Sequence, residues 1–419
     1  MRFFNRMLKL LWVVVATLGA TQLLAQELVK TKARRASDFV NSIGVNTHFG
    51  YYDTTYGKYE EILKPRLLEL GVKHIRDGTY NDDVARKYRE VGQAGIRLLL
   101  ITSSDRAVGQ AKSIGDMLWG LEAVNEPDVR KYDGGWVAFA RNEQQKLYQA
   151  VKQDPDLKNI PILGLSLANI RQSPSQLGDI SQWLDYGGMH PYAAGEYPSK
   201  HWGWGMSMAD ALAEARKVSG DKPMLVTECG YHNRIAEKGH PGVSEQAAAI
   251  YHLHLFFIYF NQGIERSYKY ELLDLKEDRT LSDKECHFGL VRSDGTVKPS
   301  FTAIKNLISI LDDEPRDFKC RDLEYAIECE SSEVMSTTLL QKSDGSWWLA
   351  LMRELEVFDL KKGEDVEVEP VKLRITLPRK MKVDRYVPNL SAEPIEELSP
   401  RRSVECLIDG RLQLLRLER

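Results

Sequence analysis

The sequence predicts a (β/α)8 barrel of the TIM type followed by an all-β, sandwich-like domain. Three observations carry this. From residue 43 to 312, short apolar runs alternate with helical periodicity eight times over about 270 residues, the count and length of a closed parallel barrel. Polar residues fall at the C-terminal end of most of these runs. Beyond 312 the helical period gives way to short alternating runs of β type.

The first 25 residues form a separate unit. Arg2, Arg6 and Lys9 precede an apolar run, 10–20, and small residues lead up to Ala25. This is the pattern of a secretory leader cleaved after Ala25. It implies a secreted or periplasmic protein, with an uncleaved membrane anchor as the alternative. The mature chain has no other segment apolar enough to suggest a membrane span.

The expected barrel strands are 43–48, 74–79, 96–102, 118–125, 161–167, 186–192, 223–229 and 265–272. The expected helices are 58–70, 82–94, 105–113, 134–152, 174–182, 207–218, 243–260 and 299–311. Gly71 and Gly95 each stand between a helix and the next strand, as helix-stopping glycines do. The run 243–260 is apolar almost all round, so it should be buried against the barrel wall. A doubly wound open sheet would want a Gly-rich phosphate turn after its first strand. The Phe49-Gly50-Tyr51-Tyr52 that follows lacks one.

Glu314-Pro315 ends the last helix. Runs at 323–328, 334–341, 346–352, 371–377, 382–387, 404–408 and 411–417 then read as strands, with Asp344-Gly345 as a hairpin turn. The second domain is therefore set at 315–419. Residues 27–42 are available to add a strand to it.

The 419 residues are 43% hydrophobic and 28% charged, with a net charge of −3. Removing 1–25, which holds three basic and no acidic residues, leaves 54 basic against 60 acidic, a net −6. No basic stripe suggests a nucleic-acid partner, and a polar, neutral ligand such as a sugar is compatible with the balance. Of the five cysteines, Cys320 and Cys329 are the pair close enough in sequence to join in an oxidising compartment. No closely spaced Cys/His set calls for a metal or another cofactor, and His252 and His254 belong to the apolar helix as packing or surface residues. No feature specifies an oligomeric state.

Active sites of such barrels lie at the C-terminal ends of the strands. Those ends carry Asn46 and His48, Arg76 and Asp77, Asn125 and Glu126, His190 and Tyr192, Glu228, and Tyr268, Tyr270 and Glu271. A pocket explains polar ends on six of eight strands better than surface exposure does. Asn125-Glu126-Pro127 and Thr227-Glu228-Cys229 each deliver a glutamate where a strand hands over to a loop. Two carboxylates in one pocket are what glycosidic hydrolysis needs, one as proton donor and one as nucleophile or base. Glu122 alternates onto the same face as Glu126 but deeper, either as a paired core acid or as a support of the site.

These residues resemble the clan A retaining glycoside hydrolases. In that clan an Asn-Glu-Pro motif ends strand four and supplies the acid/base, and a glutamate ending strand seven is the nucleophile. The likeness spans the barrel, 43–312, and also includes an arginine near the end of strand two (Arg76) and a His-x-Tyr ending strand six (His190-Pro191-Tyr192). It implies double displacement, with Glu228 as nucleophile and Glu126 as acid/base about 5 Å apart. Arg76 and Tyr192 would keep Glu228 ionised, Asn125 would bond a sugar hydroxyl, and His190 would contact the acid/base or the sugar. His48 is a further candidate substrate contact. The clan's usual tryptophan ending strand eight is replaced here by Tyr268 and Tyr270, and Tyr270 is the candidate contact there. In the loop after strand six, Tyr197, Trp202 and Trp204 suggest a stacking platform for sugar rings, with a packed lid as the alternative. Residues 231–234 would line the rim.

The expected function is hydrolysis of O-glycosidic, β-configured bonds in a polysaccharide, oligosaccharide or glycoconjugate. A non-hydrolytic carbohydrate-binding or scaffold protein on the same barrel is one alternative, and a transglycosylase using the same residues is another. None of these motifs specifies the sugar or the linkage.

Overall fold

The structure, a computed structural model, describes residues 27–235, 239–314, 316–331 and 335–419. The expected leader at 1–25 lies outside the described residues. Eight parallel strands form the barrel: β1 (Ile43–Asn46), β2 (His74–Asp77), β3 (Arg97–Ile101), β4 (Leu118–Glu122), β5 (Ile162–Leu163), β6 (Gly187–Met189), β7 (Met224–Cys229) and β8 (Arg266–Lys269). They pair in sequence order, β8 returns to β1, and a parallel bridge between Leu163 and Tyr186 closes the ring. The eight-stranded parallel barrel expected from the sequence is observed, with an all-β domain after it.

The strands are shorter than their apolar runs suggest. Asn125, Glu126, His190 and Tyr192 all lie just past the last paired residue, where the backbone leaves the ladder and can aim side chains across the mouth. The helix stops behave as expected: Gly71 and Gly95 take φ of +80° and +85°, open to glycine without a Cβ clash. The barrel floor is apolar. Leu99, Leu163, Leu225 and Tyr268 form one buried layer. Where β1 would contribute to it, the chain has Gly44, and a Cβ there would sit 2.6 Å from the Tyr268 ring. The glycine makes room for the ring that fills the floor.

Apart from a two-stranded hairpin pairing Phe358–Asp359 with Glu364–Asp365, the second domain is one eight-stranded sheet rather than two stacked sheets. Its strands are β9 (Leu323–Cys329), β10 (Met335–Gln341), β11 (Trp347–Arg353), β12 (Val371–Tyr386), β13 (Glu396–Ile408) and β14 (Gln413–Glu418). Two short N-terminal strands complete it. Val29–Thr31 pairs antiparallel with β9, and Arg34–Arg35 pairs parallel with β10 at the opposite edge. The two runs expected at 371–377 and 382–387 are a single strand. The ladder to β13 slips between Thr376 and Met381, and Pro378, which has no N–H to donate, sits inside that irregularity.

Alternation on β11 shows how the sheet is used. Trp347, Leu349 and Leu351 face the sheet's own core, whereas Trp348, Ala350 and Met352 join the core of the barrel. The helix Glu245–Asn261 belongs to the barrel core and is buried from Ala247 to Phe260 except for the half-buried Ile250, which accounts for its apolar run. His252 bonds Ser300 Oγ at 3.0 Å and His254 bonds Tyr197 Oη at 2.9 Å, so both are packing residues. Asn389 Nδ2 donates to the Ala249 carbonyl and Asn306 Nδ2 to that of Pro388, tying the sheet to the barrel helices. Cys320 and Cys329 are free thiols. Among the described residues no helix is long and apolar enough to cross a membrane.

Candidate active site

The site is built around Arg76, buried on β2. Its guanidinium has five N–H groups and all five are used. Nε and Nη2 hold the two oxygens of Glu122 at 2.6 and 2.9 Å. Nη1 donates to Asn46 Oδ1 at 3.0 Å and to Glu228 Oε1 at 2.8 Å. Nη2 also donates to Asn125 Oδ1 at 2.7 Å. One planar cation thereby fixes residues from β1, β4 and β7, and a lysine has no such fork. Glu122 is fully buried and is thus the paired acid beneath the pocket, not a wall of it.

Glu126 reaches the mouth by a local distortion. Its φ and ψ are +48° and +57°, a left-handed conformation that disfavours a residue with a Cβ by roughly 1–2 kcal/mol. The surroundings hold it there. Its N–H donates to the Ser166 carbonyl at 3.0 Å, and Pro127 opens a short 3-10 turn. Asp128 accepts from the N–H groups of Ala168 and Asn169 at 3.0 and 2.9 Å, bolting the loop after β4 to the loop after β5.

Glu228 ends β7 and is 9% exposed. Arg76 bonds one of its oxygens, and Tyr192 Oη donates to the other at 3.1 Å. His190 Nδ1 lies 2.7 Å from Glu126 Oε1 and 3.7 Å from Glu228 Oε2. One oxygen of Glu126, one of Glu228 and a His190 nitrogen all fall within 4.8 Å of one another. Burial alone would raise the Glu228 carboxyl. The charges of His190 and Arg76 and the bonds from Arg76 and Tyr192 outweigh it, so the group is held below its ordinary value. Burial works against the His190 cation, but the charge of Glu228 and the bond to Glu126 prevail and raise it. These three residues are spaced closely enough to hold a metal ion. A guanidinium 2.8 Å from one of the would-be ligands opposes a divalent cation there and suits an acid pair.

A pocket of about 1150 Å³ opens over these groups. Of the residues expected from the sequence, it is lined by Arg76, Asn125, Glu126, His190, Tyr192 and Glu228, and also by His48, Tyr270 and Trp204. His48 stacks on Tyr51 with ring centroids 4.4 Å apart and lies 3.1 Å from the buried Glu271, which also accepts from Tyr56 Oη at 2.9 Å. Tyr192 and Tyr270 meet Phe288 edge-on at 6.0 and 5.3 Å, making an aromatic wall. Trp202 is different: it is 1% exposed and packs behind Trp204 at 5.2 Å. The expected platform is reduced to one ring, Trp204, with Trp202 as its backing.

Phe288 and three arginines line the pocket without having been expected there, and Asn46 was expected only as a polar strand end. Phe288 comes from the long crossover after β8, a segment with no strand or helix signal of its own. Asn46, expected from its place at the end of β1, bridges Arg76 and, through Nδ2, the Thr227 carbonyl at 3.0 Å. Arg106, Arg130 and Arg171 line the mouth, each from a different loop and with no shared motif.

No protein-family model and no curated protein sequence matches the chain. Its structure does resemble solved ones. A family 39 glycoside hydrolase from Bacteroides cellulosilyticus superimposes with a TM-score of 0.61 at 14% identity, over 91% of this chain and 82% of that one. A glucosidase from Croceicoccus marinus gives 0.61 at 11% identity, over 93% and 97%. An α-L-arabinofuranosidase from Thermotoga maritima gives 0.59 at 11%, over 94% and 98%. The fold, barrel and β domain together, is one shared with glycoside hydrolases.

Proposed function

We propose that the protein is a retaining glycoside hydrolase that cleaves O-glycosidic, β-configured bonds of a polysaccharide, oligosaccharide or glycoconjugate. The observation that carries this is the pair of carboxylates delivered by the ends of β4 and β7, with oxygens within 4.8 Å of each other. That spacing suits a nucleophile and an acid/base acting in turn. It is too close for the ~6.5–9.5 Å separation that leaves room for an inverting water.

In the first step Glu228 attacks the anomeric carbon as the bond to the leaving oxygen breaks, and Glu126 gives its proton to that oxygen. In the second step Glu126 takes a proton from water. The resulting hydroxide attacks the same carbon, and the ester to Glu228 breaks. Two inversions retain the configuration. The environments support this division of labour. Glu228 has a guanidinium and a phenol on its two oxygens, which favour the anion. Glu126 is the more open of the two, at 27% of its side chain, where an outgoing group and an incoming water can reach it. Asn125, held by Arg76, presents its amide N–H to a sugar hydroxyl. The leader pattern at 1–25 accords with action outside the cytoplasm.

The test is to incubate the protein with a panel of aryl glycosides and polysaccharides and follow the first-formed anomer by proton NMR. Product with retained configuration, abolished by Glu228→Gln, is expected. Inverted product, or turnover unchanged in Glu228→Gln, refutes the proposal. Products longer than the substrate would mark transfer to a sugar acceptor in place of water.

A further inference from the structure

The charge around the pocket is unlike that of the chain. The protein as a whole has more acidic than basic residues, 60 against 57. Beyond the catalytic centre, the charged lining residues are Asp77, whose carboxylate is occupied by Thr47 Oγ1 and the N–H groups of Phe49 and Thr79, and Arg106, Arg130, Arg171, Lys284 and Glu285. The last two are within 3.3 Å of each other and largely cancel. That leaves three arginines, one each on the loops after β3, β4 and β5, which are consecutive around the barrel. They therefore share one side of the mouth.

Little in the protein neutralises them. Among the described residues Arg130 has no ion-pair partner. Arg171 spends one N–H on the Trp204 carbonyl at 3.2 Å and makes no ion pair among the described residues. Arg106 has only Asp105, at 4.0 Å on the open surface. Asp128, the acid nearest in sequence to Arg130, is occupied by two backbone N–H groups. Three guanidinium groups facing one cavity repel one another unless a ligand brings the counter-charge. Each has the fork geometry that takes a carboxylate or sulfate by two hydrogen bonds.

Their side of the mouth is that of Glu126, which lies on the middle one of the three loops. A general acid stands next to the oxygen it protonates, so the part of the substrate beyond the scissile bond lies toward it. This placement rests on the glycosidase reading given above. We infer that the substrate is an acidic glycan whose leaving-group portion carries carboxylate or sulfate groups, bound by Arg106, Arg130 and Arg171.

Binding is measured separately from cleavage, so that the two readings can fail independently. Native gels containing polygalacturonate (carboxylate only), dextran sulfate (sulfate only) or neutral laminarin are run with the wild-type protein and with a variant combining Arg106→Ala, Arg130→Ala and Arg171→Ala. All three side chains are exposed, and an unchanged melting temperature checks that the variant folds. The expected result is retardation by at least one anionic polymer and not by laminarin, with affinity at least ~10-fold weaker in the variant, as loss of charge-assisted hydrogen bonds requires. Retardation by one anionic polymer and not the other identifies the group recognised. Laminarin binding as strong as anionic binding, or anionic binding unaltered in the variant, overturns the inference and leaves the glycosidase reading standing. Anionic binding that depends on the arginines, with no cleavage of any glycan, sustains it while the hydrolytic reading falls.

Discussion

Arg76 lies 2.8 Å from Glu228, and that bond is one arm of a cation whose other arms are all taken. The same guanidinium neutralises Glu122, which is wholly buried. Removing it leaves a carboxylate uncompensated in the barrel interior, at a cost of ~3–5 kcal/mol for breaking a buried pair. Arg76→Met should therefore lower the urea midpoint sharply. Adding Glu122→Gln should recover much of that loss without restoring activity, because Glu228 still lacks its partner. Equilibrium unfolding of the single and double variants checks this.

The two glutamates should fail differently. Glu126→Ala removes the proton donor, so cleavage of unactivated glycosides should fall by ~10²–10⁴-fold, while aryl glycosides with good leaving groups suffer less. Added azide should restore turnover and give a glycosyl azide of retained configuration. Glu228→Gln should lose on the order of 10⁴-fold or more, the range seen on removing a covalent nucleophile. It should do so with both substrate types. Steady-state kinetics on paired substrates decide the point.

The pH profile should begin low. Glu228 is held below its ordinary value of 4.5, so the acid limb of kcat/KM should lie below that pH. His190→Asn removes a neighbouring cation and should move the limb upward. For stability, a depressed carboxyl contributes fully above its unfolded value, and that contribution is lost as pH falls through the lower folded value. His190, raised above 6.5, behaves oppositely: its contribution is complete below 6.5 and is lost as pH rises through the folded value. Urea titrations of wild type and His190→Asn, run at pH 3–5 and pH 6–9, should show both slopes.

Beneath the aromatic wall, Lys269 donates to the carbonyls of Tyr270 and Phe288. Burial, with repulsion from Lys298, pushes it down to about 7. Cys229 on β7 and the acids Glu271 and Asp274 pull it the other way, and His252 faces it from the long helix. Between about 7 and the ordinary 10.5 the unfolded chain binds more protons than the folded one, so this group makes stability rise with pH. In Lys269→Met that rise should flatten. Unfolding free energies at pH 7 and 9.5 for both proteins measure it.

Neighbouring tryptophans should separate binding from packing. Trp204→Ala removes a ring at the pocket wall and should raise KM by up to about 10-fold with little change in melting temperature. Trp202→Ala empties a buried site and should cost ~3–5 kcal/mol of stability.

That contrast marks where sequence reasoning stops. The barrel was legible because its signals are local: apolar runs of strand length, helix-stopping glycines, and polar residues at strand ends. Asn125-Glu126-Pro127 and His190-Pro191-Tyr192 could be placed for the same reason. Which of two tryptophans in one loop turns outward depends on what packs beneath, and no periodicity records that. The partner of Glu122 was open because it comes from β2, two strands away in the barrel order. Pro378 reads as a break in isolation, yet a slip in the ladder carries a continuous strand through it. Arg106, Arg130 and Arg171 come to line one pocket only when three loops meet around it.

The strands Val29–Thr31 and Arg34–Arg35 sit on opposite edges of a sheet otherwise made from residues 323–418. During synthesis, at ~5–20 residues per second, they emerge well before β9 and β10 and wait tens of seconds for those strands to exist. All eight barrel strands precede β9 in the chain, so the second sheet closes only after they have been made, around a segment older than any of them. A nascent chain stalled before residue 323 would present those strands unpaired, as an open invitation to other sheets or to a chaperone.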